Sequence, residues 1–195
     1  EIKAIDFFSM AAGPTGKSRL IKVVAIDPGF PYYGSFKTKL SGKITGKDEN
    51  ILHQLPVVWL YPELRSQLNL DLGDKLKIGE ANFRVTDFIL DEAGLSFQPA
   101  ELAPKAFIST KFLEQTKLLS QGNTAFYNHL YKLPSHISLN EFTERLENAL
   151  TNPEIRVFSH QKVGHRAGRL LRYLSDFLAI VSMVALFLAC LGSGY

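Results

Sequence analysis

The chain lacks most of what disulfide, metal or nucleic-acid chemistry requires. A single cysteine, Cys190, in 195 residues excludes an internal disulfide and a thiolate metal cluster. Charge of one sign is also scarce: 22 basic against 19 acidic side chains leave a formal net charge of +3, far from the concentrated positive field that phosphate backbones demand. Nucleic acid is therefore not an expected partner. The five histidines, His53, His129, His136, His160 and His165, are nowhere four apart, so no pair shares a helical face as zinc ligands do. No G-x-S-x-G elbow occurs, and no internal repeat is visible. The acidic pairs Asp91/Glu92 and Glu141/Glu144 read as a turn and a solvated helix face. The sequence thus predicts no catalytic residue, no cofactor and no metal.

What is present is an ordinary globular composition, 46% hydrophobic and 21% charged, with length enough for one real core. The strongest local signal lies at the end. Phe177 to Leu191 reads FLAIVSMVALFLACL, apolar on every face and without a charge. A helix of that kind is buried in protein or in lipid, and a bilayer span takes about 20 such residues. The run therefore predicts a membrane span cut short, carried by Phe177, Leu178, Ile180, Val181, Met183, Val184, Leu186, Phe187, Leu188 and Leu191. Arg166, Arg169 and Arg172 precede it at helical spacing as an interfacial collar. Taken alone, the positive-inside tendency would place the preceding residues in the cytoplasm. At the other end, EIKAIDFFSM has neither the basic start nor the apolar core of a secretion signal, and the chain reads as a fragment of a longer one.

Between these ends the pattern is α+β, a mixed β-sheet with helices. Ala4–Met10 and Arg19–Ile26 are rich in β-branched and aromatic residues and flank a Gly/Pro loop, which predicts two neighbouring strands. Ser35–Leu40 predicts another strand, and the polar stretch 41–50 a mobile surface loop. Val57–Leu60 is a short apolar strand, followed by Pro62 where a first helical turn tolerates it. Two β-like runs with Gly73 and Gly79 at their corners predict a hairpin between about Asp71 and Leu90, within a small β-rich module at 57–97. Further strands are expected at Ala106–Ser109, Ala125–Lys132 and Glu154–Ser159, with a helical turn in TKFLEQTKLL. Ser138 and Glu141 form an S-x-x-E capping box, and Leu139, Phe142, Leu146 and Leu150 fall on one face of the helix it starts.

Two motifs invite a functional reading. GPTGKS at 13–18 ends like a P-loop, but Ala11 stands where the first glycine belongs, and the segment leads into a strand where a P-loop leads into a helix. The aromatic cluster Phe30, Tyr32 and Tyr33 is either a greasy contact for a partner or cargo, or ordinary packing under a turn.

The order of these stretches resembles a known family. RLIKVVAIDPGFPYYGSF is similar to the corresponding stretch of the extracytoplasmic domain in MacB/FtsX-type ABC transporter permeases, of the YbbP-like branch. VVWLYPELRSQLNLDLGDKLKIGEANFRVTDFI, LAPKAFISTKFLEQTKLLSQGN and LLRYLSDFLAIVSMVALFLACLGSG follow in the same order. Phe30-Pro31-Tyr32-Tyr33 replaces the usual Tyr-Pro-Leu, and GPTGKS lengthens a loop that is often short. The resemblance implies that residues 1–168 form the first periplasmic domain, a MacB-like one, of an inner-membrane permease of bacteria, and that 169–195 lead into transmembrane helix two. It implies no enzyme activity in this chain, with ATP hydrolysed by a separate cytoplasmic ABC ATPase subunit. Motion would be relayed through the membrane helices to the periplasmic domain, a process called mechanotransmission. It further implies a periplasmic GDSL-type esterase or lysophospholipase as partner, and lipid-like or hydrophobic cargo. Read without the resemblance, the same features also suit a tail-anchored, non-enzymatic binding or scaffold domain at a membrane surface.

Overall fold

The computed structural model describes residues 1–92, 103–119, 124–134, 137–152, 154–157 and 173–185. They divide into two compact units, Glu1–Lys132 and Leu133–Tyr195. In the first, β1 (Ile2–Ala12) and β2 (Ser18–Ile26) pair antiparallel from Ala4 opposite Ile26 to Ala12 opposite Ser18. The loop between them closes on itself: the Gly13 N–H donates to the Lys17 carbonyl at 2.9 Å, and Gly16 takes φ +79°, a conformation open chiefly to glycine. GPTGKS is therefore a hairpin turn, and it leads into a strand as the sequence indicates.

Seven further strands complete the sheet: β3 (Phe36–Thr38), β4 (Gly42–Ile44), β5 (Val57–Leu60), β6 (Lys75–Ile78), β7 (Ala81–Glu92), β8 (Lys105–Ser109) and β9 (Ala125–Leu130). The path β7-β5-β8-β2-β1-β6 returns to β7, so these strands close into a ring. The seam is short. β6 meets β1 only through Ala11 opposite Ile78 and Ala12 opposite Lys77, while its other side pairs with β7 from Lys75 opposite Arg84 to Ile78 opposite Ala81. Between Ile78 and Ala81 the chain reverses through Gly79 at φ +59°, the hairpin the sequence predicts. Within the stretch 57–97, the described strands β5, β6 and β7 share this ring with β1, β2 and β8.

Side-chain alternation along the strands divides the apolar residues between two cores. Inside the ring lie Phe7, Ile21, Val23, Leu76, Phe83 and Ile108. Helix α1 (Pro62–Leu68) adds Leu64 and Leu68 to the same core. Pro62 opens that helix, and Asn69 ends it in the left-handed conformation at φ 53°. Outside the ring, a second core gathers Ile2, Val24, Ile26, Phe30, Phe36, Trp59 and Phe107. Phe36 is its hub, edge-on to Trp59 and Phe107 at 5.9 and 5.1 Å.

The stretch 41–50 contains β4, which pairs with β3, so it is only in part the loop expected. A buried carboxylate fixes the turn between the two strands. Asp87, 1% exposed, accepts the N–H groups of Leu40 and Ser41 at 3.0 Å each and the Ser41 hydroxyl at 2.9 Å. Burial pushes its carboxyl up, but these hydrogen bonds outweigh burial and hold it below the ordinary carboxylate value of 3.8. Asp87→Asn is expected to lower stability by about 2 kcal/mol at neutral pH. Because the folded-state pKa is depressed, this contribution is fully present above the unfolded value and is lost as pH falls through the folded one. Urea unfolding at neutral pH and again well below pH 3.8 should therefore show wild type and variant converging in acid.

Other expectations change. TKFLEQTKLL forms two short 3-10 turns, Thr110–Phe112 and Glu114–Thr116. Helix α2 (Leu139–Ala149) starts after Ser138 as expected, yet the Ser138 side chain makes no capping bond, and Glu141 instead pairs with Arg145 at 2.6 Å. Leu139, Leu146 and Leu150 are half-buried and Phe142 is 38% exposed. The strand expected at Glu154–Ser159 is not formed at its described residues, since 154–157 lie outside any strand. With Pro153 and Asn152 beside it, the Ile155 N–H turns back to the Asn152 carbonyl, so no ladder begins there. Its last two residues lie outside the described ones.

Candidate functional surface

Residues directly opposite in a ladder share a face of the sheet. Phe8 stands opposite Lys22, Met10 opposite Leu20, and Ala12 opposite both Ser18 and Lys77. These side chains therefore lie on the outer wall of the ring, on a stretch that the second core leaves bare. Phe8, Met10 and Leu20 are 45%, 54% and 48% exposed. With Ser18, Lys77 and Leu118 they line an open groove of about 600 Å³. Lys75 and Arg84, opposite one another in the next ladder, extend the basic rim. Lys22, farther along, is already paired with Asp6 at 3.2 Å, and Asn128 of β9 donates to the same carboxylate. An apolar floor with ammonium groups at one border suits an acyl chain, or apolar side chains, ending near an anion.

Of the aromatic cluster, Phe30 is 2% exposed and tilts against Phe36 at 5.9 Å, so it serves the core and cannot be a surface contact. Tyr32 is half-buried on the same core. Tyr33 alone of the three is on the surface, its ring under the Lys132 ammonium at 5.7 Å. Among the described residues no helix is long and apolar enough to cross a membrane. The helical residues 173–185 include Phe177, Leu178, Ile180, Val181, Met183 and Val184, all exposed. Leu186, Phe187, Leu188 and Leu191 of the expected span lie outside the described residues.

Two polar constellations gave no local signal in the sequence. His53 Nδ1 lies 2.9 Å from Ser109 Oγ, with Asp27 and Lys111 as neighbouring charges. The pairing has the composition of a hydrolytic triad but not its accessibility: Ser109 is 0% exposed, and the Asp27 carboxylate is taken by the Lys3 N–H and the Thr110 hydroxyl. Burial, and secondarily Lys111, hold the His53 imidazole below its ordinary value of 6.5, against the pull of Asp27. A histidine that resists protonation when folded favours unfolding as pH falls below its unfolded pKa. The denaturation midpoint should therefore drop as pH falls below 6.5, levelling off beneath the folded-state value, and His53→Gln should flatten that slope.

The second constellation joins β7 and β8 to Tyr61, the residue just before α1. Lys105 Nζ meets Glu92 Oε2 at 3.1 Å, and the Tyr61 hydroxyl donates to the same oxygen at 2.6 Å. Both charged side chains are almost fully buried. Asp91 and Glu92 are thus the end of a strand, not the turn their sequence suggests. Only the presence of an acid and a lysine at the ends of two strand-like runs could have hinted at it. Among the described residues no group of His, Cys, Asp and Glu could hold a metal ion.

The first unit, Glu1–Lys132, is therefore a mixed α+β domain built on a closed ring of strands, with an open apolar groove on the wall. No family model matches the chain. Over 188 residues, 96% of its length, it is 26% identical to the uncharacterized ABC transporter permease YbbP of Escherichia coli (strain K12), and it spans 22% of that relative. The match bears out the resemblance to MacB/FtsX-type permeases of the YbbP-like branch. Solved structures similar to the chain include the periplasmic region of MacB from Actinobacillus actinomycetemcomitans (TM-score 0.49, 13% identity, 85% of this chain and 75% of that one). Another is the extracellular domain of the noncanonic ABC-type transporter YknZ from Gram-positive bacteria (TM-score 0.46, 13% identity, 75% and 74%). A third is a domain of a putative permease from Porphyromonas gingivalis (TM-score 0.46, 13% identity, 76% and 67%).

Proposed function

We propose that this chain is a periplasmic domain of an inner-membrane ABC transporter permease, moved by a cytoplasmic ATPase subunit through its membrane helices. The observation that carries the reading is the sequence match to a permease along almost the whole chain. The exposed apolar residues of the helix at 173–185 suit its continuation into a membrane helix. Under this reading the cargo is a lipid-like or hydrophobic molecule, and the groove floored by Phe8, Met10 and Leu20 is where an acyl chain or a periplasmic esterase would touch the domain.

Affinity purification of the full-length parent polypeptide from native membranes in mild detergent, followed by mass spectrometry, tests this. An ABC ATPase in the eluate is expected, with a periplasmic esterase beside it. A lone polypeptide without an ATPase would overturn the transporter reading in favour of a membrane-anchored scaffold, whereas an ATPase without an esterase would remove only the proposed partner.

A further inference from the structure

We propose that the β3–β4 hairpin is a docking element for an anionic lipid surface. Residues 37–47, KTKLSGKITGK, carry Lys37, Lys39, Lys43 and Lys47 and no carboxylate. All four lysines are exposed. Lys37 stands directly opposite Lys43, a like-charge juxtaposition that destabilises a ladder and is relieved by an external anion. Nearby carboxylates compensate only in part. Asp91 lies across from Lys37 on the other side of β3, and Asp48 turns onto the Thr45 N–H and hydroxyl. At the tip, between Lys39 and Ser41, Leu40 is 63% exposed.

Lysines on an edge strand often serve only to discourage strand pairing. An apolar side chain at the tip is not needed for that role. It does suit a lipid interface, where one apolar group enters the acyl boundary while lysine stems lie along it and their ammonium groups reach the phosphates. The tip is also preorganised, because buried Asp87 binds the backbone of Leu40 and Ser41. An acidic protein is the weaker candidate, because β4 has three residues and offers little ladder for a partner strand. The inference does not require the transporter reading.

The test places an environment-sensitive fluorophore at position 40 of the whole chain, using Leu40→Cys in a Cys190→Ala background, so that it reports on the hairpin whatever else anchors the protein. A second label at Gln67→Cys, exposed on α1 and outside both the hairpin and the groove, serves as control. With phosphatidylglycerol vesicles the label at position 40 should shift to the blue, and the control should not. Lys39→Gln with Lys43→Gln should weaken the partitioning read at position 40 by about 30-fold, from roughly 1 kcal/mol per lysine near an anionic surface. High salt should weaken it likewise. Circular dichroism confirms that each variant is folded. No shift, or an equal shift with phosphatidylcholine, would overturn the proposal. A shift with polyglutamate but not with phosphatidylglycerol would overturn it too, and would assign the hairpin to an acidic protein.

Discussion

Lys105→Met is expected to lower stability by about 3–5 kcal/mol, because removing one partner of a buried ion pair strands the other without solvent. The Lys105 and Glu92 side chains are 6% and 4% exposed, so water cannot replace the lost ammonium. The Tyr61 hydroxyl would remain as a donor to Glu92, but one neutral hydrogen bond offsets only a fraction of that cost. The double replacement Lys105→Met/Glu92→Met should recover most of the loss, since two apolar residues of similar volume are often as stable as the pair they replace. Urea midpoints for the two single variants and the double variant form the cycle. If Lys105→Met cost less than about 1 kcal/mol, the pair would be behaving as a solvated surface bridge.

Gly46→Ala should be comparably damaging for a different reason. A Cβ at this position would lie 2.1 Å from the Gly29 carbonyl oxygen and 2.5 Å from that of Pro31. Both are backbone atoms, so no flexible side chain can swing aside to make room. The segment around 29–31 must move, and it carries Phe30 into the outer core. We expect a loss of about 3 kcal/mol or more, at the upper end of overpacking effects, read as a lower thermal midpoint and reduced soluble yield. Gly42→Ala is the control, because a Cβ there meets nothing within 4 Å and bears only the strain of φ +72°. Its cost should be on the order of 1 kcal/mol. Equal losses in the two variants would show that the segment around 29–31 gives way easily and that the close approach at Gly46 costs little.

What the sequence disclosed follows from how local each signal is. The β1–β2 and β6–β7 hairpins were readable because their turns carry the glycines such turns use, and α1 because Pro62 marks its first turn. Ring closure was not, since it depends on two residue pairs between Ala11–Ala12 and Lys77–Ile78, which nothing in either segment announces. β4 hid inside a polar loop because three residues are too few for a periodicity. The strand expected at Glu154–Ser159 shows the reverse failure, where β-branched residues without a ladder to join remain irregular. The groove was missed because the strand pattern does not say which face Phe8, Met10 and Leu20 take; only the register shows that they face outward.

The strand ring also has a mechanical consequence. β1 is hydrogen-bonded along one side to β2 and along the other to β9 and β6. A pull along β1 therefore loads several ladders in shear at once, and their hydrogen bonds resist together instead of opening one after another like a zipper. The two-pair contact with β6 is the thinnest of these ladders, so under rising tension the wall should part there first, leaving the β1–β2 hairpin intact as a stiff handle.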